Sequence, residues 1–309
     1  MRRRLLPTLI LLVSAVAAAQ VVRTGDPVKR GLSETDFPRI QTLAEGVYSY
    51  EQLRSAGAET FTTVSLFVVS DVGVLVADGQ GSVAETQRMI DEIATITSQP
   101  IKHVVIGSDH GDHTAGNRAF PADVTYYAHP TSKALLDAAA SRADSSPAAV
   151  SKITPVERQT TVTLSGTEIQ ILFLGRAHTG GDLSVYLPKE KVLFMSEAYL
   201  NRIFPAMRSA YPSEWVTTIE RAQAMDVTTY VPGHGFVESP VVLREELETA
   251  RQALVQVIAE GRRLHMAGVP VADAMTQAQF GDLETWTLRS SQGPTAIRRV
   301  YLELDGGLK

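Results

Sequence analysis

A polar cluster directly after an apolar run is the feature that most constrains this chain. The cluster is Ser108-Asp109-His110-Gly111-Asp112-His113, and it follows the run His103 to Gly107, which is typical of a buried strand. It places two imidazoles and a carboxylate within four residues at a strand end. A polar helix cap is one interpretation, because helix starts favour Asp. Three groups of the kinds that bind metal ions make ligation the better prediction.

Composition restricts both the class of protein and the kind of metal site. The 309 residues are 44% hydrophobic and carry a formal charge of -5, which predicts a globular protein of one large domain, with or without an appendage. No block of Lys and Arg follows the first residues, which argues against nucleic-acid binding. Cysteine is absent, so metal ligands must be His, Asp or Glu. These suit zinc best, with iron or manganese as alternatives.

The N-terminus has the pattern of an export signal. Met1 to Arg4 is basic, Leu5 to Val16 is almost all apolar, and Ala17 to Ala19 provides small residues before Gln20. We predict a signal peptide over residues 1–19 and a periplasmic or secreted protein. An uncleaved anchor is less favoured, because a spanning helix needs about 20 apolar residues. Arg3-Arg4 weakly resembles a twin-arginine signal, so the export route stays open.

Short β-type runs and helical stretches alternate along the rest of the chain. Strands are predicted at Val47–Glu51, Thr62–Val69, Gly73–Ala77, Ile101–Ile106, Val124–Ala128, Thr160–Leu164, Thr167–Leu174, Leu183–Leu187, Lys191–Met195 and Thr228–Val231. Helices are predicted at Ser82–Ser98, Thr131 to about Arg142, Pro212–Met225 and Pro240–Met266, with a mobile loop at Ala143–Val150. Two strand-rich halves with helices predict an α/β fold, a four-layer αββα sandwich of two mixed sheets. It would occupy residues 20–238, followed by a helical extension over 239–309.

Three further polar clusters follow predicted strands. His178 lies in the glycine-rich bend Gly175–Asp182, Glu197 follows Lys191–Met195, and His234 lies in Pro232-Gly233-His234-Gly235. If these strand ends meet on one rim with the first cluster, the side chains form a site for one or two metal ions. His103, His129 and His265 are expected to be structural or exposed.

This ordered series resembles the metallo-β-lactamase superfamily, whose signature is H-x-H-x-D-H followed by His, then Asp or Cys, then His. The resemblance covers about residues 42–238 and implies the αββα fold. It assigns His110 and His178 to a first metal site and Asp112, His113 and His234 to a second. Glu197 stands where the family usually has a bridging Asp, and its extra methylene would move the carboxylate by about an ångström.

Ser108 departs from the pattern, because the family has an imidazole at this position. A neutral hydroxyl is a poor zinc ligand, so the first site is incomplete. It is empty, or it is held by His110, His178 and Glu197 with water, or Ser108 supports it through a bridging water. We expect a complete second site and a weaker first one, with one or two Zn²⁺ ions.

These features predict an exported hydrolase that uses metal-activated water on an ester, lactam, lactone or thioester bond of a small molecule. Asp112 would orient the nucleophile and handle its proton. Asp182 would support a ligand or the bend around it, and Arg202 and Arg208 would grip an anionic substrate. The superfamily carries out many reactions, so membership does not name the substrate. The alternative is a non-hydrolytic metal-binding accessory protein of a periplasmic oxidoreductase system, for which an incomplete first site is no handicap.

Overall fold

The computed structural model describes residues 22–140 and 153–308, which contain twelve strands and seven α-helices. The strands are β1 Arg39–Ala44, β2 Val47–Ala56, β3 Glu59–Val69, β4 Val74–Ala77, β5 Ile101–Val105, β6 Thr125–Ala128, β7 Ile153–Pro155, β8 Gln159–Leu164, β9 Thr167–Leu172, β10 Ser184–Leu187, β11 Val192–Phe194 and β12 Thr229–Val231. The helices are α1 Val83–Ile96, α2 Gly111–Thr114, α3 Pro130–Ala140, α4 Pro212–Gln223, α5 Pro240–Met266, α6 Val271–Gln277 and α7 Arg289–Leu304.

The first half of the chain forms a seven-stranded sheet in sequential order from β1 to β7. Strands β1 to β4 are antiparallel neighbours, whereas β4 to β7 run parallel. A parallel pair needs a crossover connection, and α1 supplies it between β4 and β5. The Ser82 hydroxyl caps α1 by accepting a hydrogen bond from the Glu85 amide at 3.2 Å, as expected of an N-cap serine.

The second half forms a five-stranded sheet in the order β12-β11-β10-β9-β8. Its pairs are antiparallel except for β11 and β12, which run parallel. Helix α4 lies in the connection between these two strands and begins at Pro212, a residue favoured at the first helical position. The parallel pairing brings the ends of β11 and β12 side by side on one rim.

The two sheets pack face to face around one apolar core. Phe61 to Val68 of β3 are all buried, and residues of this strand share a core cluster with Ile169, Ile171 and Val185 of the other sheet. Met89 and Ile93 of α1 cover the outer face of the first sheet in a separate cluster. The predicted αββα sandwich of two mixed sheets is therefore confirmed.

Two strands lie where the sequence predicts none. Strand β1 was not predicted because its side chains are mostly half-buried and show no alternation of buried and exposed residues. Strand β7 is three residues long and carries a proline. The predicted loop Ala143–Val150 and the predicted signal peptide lie outside the described residues.

The C-terminal helices pack against the sandwich. Helix α5 has the predicted bounds, and its apolar stripe, which includes Leu243, Leu247 and Leu254, is buried in the core shared by both sheets. Helix α7 lies against α5 and adds Ile297 and Val300 to the same core. Over residues 22–140 and 153–308, no helix is long and apolar enough to cross a membrane.

Candidate metal centre

The four polar clusters meet on one rim of the sandwich. The first follows β5 and leads into α2, His178 follows β9, Glu197 lies in a short 3-10 helix after β11, and His234 follows β12. A hydrogen bond from the Leu183 amide to the carbonyl of Gly107, at 2.9 Å, ties the first cluster to the second sheet. The sequence predicted this convergence, and the geometry provides it.

The close approach of β12 to the Glu197 segment depends on Gly233. Its amide donates to the carbonyl of Ser196 at 2.8 Å, and a Cβ at this position would lie 2.4 Å from the backbone carbon of Ser196. Only glycine allows this contact without a shift of backbone. Gly233 therefore helps to bring Glu197 and His234 together.

Asp112, His113, Glu197 and His234 form one group of possible ligands. The Nε2 atoms of His113 and His234 are 3.3 Å apart. His234 Nε2 also lies 3.2 Å from Oδ2 of Asp112 and 3.1 Å from Oε1 of Glu197. Apart from Asp112, which is partly exposed, these side chains are buried.

His110, His178 and Glu197 form the other group. Nδ1 of His110 and Nε2 of His178 are 3.1 Å apart. Each also lies 3.1 Å from a carboxylate oxygen of Glu197: Oε2 for His110 and Oε1 for His178. One carboxylate thus faces both groups, and its Oε1 is equally close to His178 and His234. The longer side chain of glutamate still reaches the position between them.

These separations fit metal coordination. Four ligands bound to one tetrahedral zinc at about 2.0–2.1 Å lie roughly 3.3 Å from one another. The separations given above are 3.1–3.3 Å, whereas His113 Nε2 lies 3.9 Å from Glu197 Oε1. Imidazole and carboxylate ligands suit zinc, iron or manganese. The cluster is therefore consistent with binding metal ions.

Groups outside the cluster hold three of the imidazoles. His234 Nδ1 lies 2.8 Å from the carbonyl oxygen of Thr62, and His113 Nδ1 lies 3.0 Å from Oδ2 of the buried Asp78. His110 Nε2 lies 3.3 Å from the Ser209 hydroxyl. Contacts of this kind fix the orientation and tautomer of a ligating histidine, leaving the other ring nitrogen to face the cluster.

Ser108 is fully buried beside the first group, and its hydroxyl donates a hydrogen bond to Glu197 Oε2 at 2.5 Å. The same oxygen faces His110. The serine therefore contacts the carboxylate that both groups share.

Comparisons with known proteins agree with this geometry. The sequence profile described as the metallo-beta-lactamase superfamily matches residues 81–234, which include all four polar clusters. The chain belongs to the metallo-β-lactamase superfamily.

Relatives within the superfamily are distant. A type 2 metallo-β-lactamase of Bacillus sp. (strain 170) is 22% identical over 80% of this chain and 99% of its own length. The alpha subunit of a 2,4-dinitroanisole O-demethylase from Nocardioides sp. (strain JS1661) is 22% identical over 63% of this chain, and the match spans 55% of that subunit. A metallo-β-lactamase structure from Pontibacter korlensis matches with a TM-score of 0.58 and 20% identity, covering 70% of this chain and 98% of the other. At these identities the structural match shows the fold, and the superfamily given by the profile is one of metal-dependent hydrolases.

The carboxylates of the site stabilise the protonated forms of two of its imidazoles, His110 and His234. Burial lowers the pKa of His234, but hydrogen bonds to Asp112 and Glu197 outweigh burial and raise that pKa to about 10. Burial also lowers the pKa of His110, but the neighbouring Glu197 carboxylate outweighs burial and raises that pKa to about 9. The pKa of Glu197 is held well below its usual range, because the surrounding imidazoles outweigh the effect of burial. Burial dominates at His178 and lowers its pKa. Metal binding would therefore displace protons from His110 and His234.

The cluster opens into a cleft of about 400 Å³, within the range of small-molecule sites. Strand β2 contributes Arg54, whose Nε lies 3.5 Å from Asp112 Oδ2. Phe61, Leu200 and Ile203 supply apolar walls, and α7 contributes Gln292 and Thr295. The C-terminal extension is thus part of the wall of the cleft.

The two predicted substrate arginines have different environments. Arg208 is exposed and lines the cleft. Arg202 does not, which corrects the prediction: its guanidinium forms a two-armed ion pair with the buried carboxylate of Glu246 on α5 and lies 5.3 Å from the centre of the Trp286 ring. A guanidinium committed to a buried carboxylate holds α5 in place and is not available to a substrate in the cleft.

Asp182 supports the bend that carries His178. Its buried carboxylate accepts hydrogen bonds from the amide and hydroxyl of Thr179, both at 2.7 Å, and burial raises its pKa to about 7.

The remaining histidines lie apart from the cluster. His103 contacts the Tyr127 hydroxyl, His129 stacks on Phe173, and His265 contacts Asp305.

Sequence reasoning missed four kinds of contributor: Arg54, Asp78, Ser209 and the cleft-lining residues of α7. Asp78 follows strand β4 and so lies at a strand end, as the four polar clusters do. It was not predicted because Asp78-Gly79 is a dipeptide typical of a turn. The others reach the cleft through tertiary packing, for which a local pattern gives no signal.

Proposed function

We propose that this protein is an exported metal-dependent hydrolase that cleaves an ester, lactam, lactone or thioester bond of a small molecule. One observation carries the proposal: Glu197 Oε1 lies 3.1 Å from Nε2 of both His178 and His234, in a cluster that opens into a cleft. A carboxylate shared by two groups of buried imidazoles is poorly explained by structural hydrogen bonding alone.

His110, His178 and Glu197 would hold one ion, and Asp112, His113, His234 and Glu197 the other. When bound, a divalent ion lowers the pKa of water to about 7 and polarises a carbonyl. Asp112 is the candidate to orient the attacking water and take its proton, because its partly exposed carboxylate faces the cleft. Arg54 Nε and His234 Nε2 both approach Oδ2 of Asp112, at 3.5 Å and 3.2 Å.

We propose zinc as the metal, with the second group binding more tightly than the first. The second group has three donors besides Glu197, whereas the first has two and meets Ser108 where the superfamily pattern has an imidazole. Zinc titration of metal-stripped protein by calorimetry should show two steps of unequal affinity, or one strong site. Two sites of equal, tight affinity would contradict the proposal.

Replacement of Ser108 tests the asymmetry directly. Ser108→His adds a third imidazole and is expected to raise zinc affinity at the weaker site, because zinc prefers imidazole to a hydroxyl. Ser108→Ala is the matched control, since it removes the bond to Glu197 without adding a donor. Equal zinc stoichiometry and affinity in both variants would show that the serine is incidental.

A substrate panel tests the reaction class. The panel contains nitrocefin, a lactone, a thioester and aryl phosphate and sulfate esters, each assayed with zinc or iron and again with chelator. We expect chelator-sensitive hydrolysis of at least one of them. The relative named as a metallo-β-lactamase favours the lactam among these substrates. The relative named as an O-demethylase is the reason to add an aryl ether to the panel. Inertness of the loaded protein toward all of them would favour the accessory role beside a periplasmic oxidoreductase, which the incomplete first site permits.

Export is proposed from the first 19 residues. The test is expression of the full chain in a bacterium, fractionation, and N-terminal sequencing of the mature protein. Cleavage before Gln20 and recovery from the periplasm or medium are expected. Cytoplasmic retention of the uncleaved chain would contradict the proposal.

A further inference from the structure

A second cavity adjoins the metal cleft and is built largely by the C-terminal helix α7. It has a volume of about 400 Å³. Arg208 and Thr295 line both this cavity and the metal cleft, so the two spaces meet at these side chains. We name it the arginine cavity, after Arg208, Arg298 and Arg299 in its wall.

The arginine cavity has an excess of positive charge. Its only lining carboxylate, among the described residues, is Asp305, and Oδ1 of Asp305 lies 2.9 Å from Nε2 of His265. Arg208 and Arg298 are exposed, and within the described part of the chain neither has a carboxylate at ion-pair distance. Two guanidinium groups are thus available to a ligand.

Arg299 has a different task. Its guanidinium donates to the carbonyls of Ala210 and Ser209, the latter at 3.1 Å, and it lies 5.5 Å from the centre of the Tyr211 ring. It therefore fixes the segment that follows Arg208 and keeps this wall of the cavity in place. Tyr301, Val271 and Leu302 complete the wall with apolar surface.

We infer that the arginine cavity binds an anionic group of the substrate, remote from the bond that is cleaved at the metal cluster. Guanidinium groups bind carboxylate, sulfate and phosphate through paired, charge-assisted hydrogen bonds. The substrate class is then an elongated organic anion, with its scissile group beside Glu197 and its acidic end between Arg208 and Arg298. The inference rests on the proposed function for the position of the scissile bond, whereas anion binding itself does not require turnover.

Two esters of equal acyl length test the inference: the mono-4-nitrophenyl ester of glutaric acid, which carries a carboxylate, and 4-nitrophenyl valerate, which does not. The ratio of their kcat/KM values measures the contribution of the negative charge. Arg298→Gln is expected to lower this ratio about tenfold, the scale of one charge-assisted hydrogen bond. Arg262→Gln is the matched control, because Arg262 is exposed on α5, outside the cavity. Equal ratios in the two variants would overturn the inference.

A binding measurement separates this inference from the proposed function. Glutarate is titrated calorimetrically into the wild-type protein and both variants. Weaker binding to Arg298→Gln alone supports the cavity even if neither ester is hydrolysed, in which case the hydrolase proposal fails for esters. If the esters are not hydrolysed, glutarate binding that is absent or equal in all three proteins overturns the inference. If the esters are hydrolysed, an equal ratio of kcat/KM values in the two variants overturns it.

Discussion

The buried carboxylate of Asp78 supports the candidate metal centre from outside the two groups of possible ligands. Oδ1 accepts a hydrogen bond from the Gly107 amide at 2.6 Å, and Oδ2 accepts one from the Ser196 hydroxyl at 2.5 Å. Oδ2 also lies 3.0 Å from His113 Nδ1. A single side chain thus connects the backbone before the first polar cluster, a ligand imidazole, and the residue preceding Glu197.

Asp78→Asn should weaken zinc binding by about 10–100-fold, the usual cost of altering a group that orients a ligand. The amide keeps the shape and tolerates the left-handed backbone at this position, where φ is 64°. It removes the negative charge facing His113. Affinity is measured by competition with a chromophoric chelator. Asp226→Asn, on the exposed partner of Lys191, is the control, and equal affinity in the two variants would refute the role.

Glu51 provides a pH-dependent contribution to stability away from the ligands. Its carboxylate is fully buried on β2, where it accepts a hydrogen bond from the Val237 amide at 2.5 Å, and burial raises its pKa to about 7. Between about pH 4.5 and 7 the folded protein keeps a proton that the unfolded chain has lost. Stability therefore falls as pH rises through this window, by about 3 kcal/mol for a shift of this size.

Glu51→Gln should remove this loss. Relative to the wild type, the variant is expected to gain stability as pH rises from 4.5 to 7 and to show a constant difference above 7. Urea unfolding of both proteins at several pH values, with chelator present, measures the difference, and contributions common to both proteins cancel. Parallel stability profiles would show that the carboxylate is ionised throughout.

Most residues of the two candidate ligand groups could be predicted from the sequence because each lies in a polar cluster directly after an apolar strand. Residues such as Arg54 and Ser209 could not. Their contacts with Asp112 and His110 arise from the packing of distant segments, and the side chain of a lone Arg or Ser is usually solvated. Arg202 shows the converse error, since its partner Glu246 lies 44 positions further along the chain.

The contact between helices α5 and α7 depends on Gly261. A Cβ there would lie 2.6 Å from Cγ1 of Val300 and 2.9 Å from its Cβ. Gly261→Ala improves helix propensity by about 1 kcal/mol, but overpacking a core typically costs about 1–3 kcal/mol. We expect a net loss of stability of about 1 kcal/mol in thermal or urea unfolding.

The double variant Gly261→Ala, Val300→Ala distinguishes overpacking from other effects. Because the smaller side chain makes room for the new methyl group, the double variant should be less destabilised than the sum of the single changes. Additive losses would show that the two positions do not interact.

At the scale of elements, the sequence predicts those whose periodicity and boundary residues agree. Helix α5 is the best case, since Pro240 begins it and the Gly268-Val269-Pro270 segment follows it. Strand β1 and the short strand β7 are not predicted, because a half-buried edge strand has no clear alternation of polar and apolar residues. Helix α7 is not predicted as a separate helix because it contains Gly293 and Pro294, although the C-terminal extension as a whole was expected to be helical.

The helical extension is part of the same core as the sandwich, so the boundary at residue 238 separates segments of sequence more than units of folding. Leu247 and Leu254 of α5 and Ile297 of α7 pack in one cluster with both sheets. A chain ending at Glu238 should be insoluble or lack a cooperative unfolding transition, because it exposes that core. Circular dichroism and thermal unfolding test this.

A chain ending at Asp305 is the control, since it removes only the short segment after α7. It should keep the unfolding midpoint of the full chain. A chain ending at Glu238 that unfolds cooperatively at the wild-type temperature would show that the sandwich folds without its extension.

The candidate ligands are divided between the two halves of the molecule. His110, Asp112 and His113 follow a strand of the first sheet, whereas His178, Glu197 and His234 follow strands of the second. Neither half alone has a complete set, and the last ligand lies 124 positions after the first. Under the proposed function, metal loading must therefore come after the halves have closed on each other. The ion that this protein acquires would then depend on the compartment in which the two halves meet.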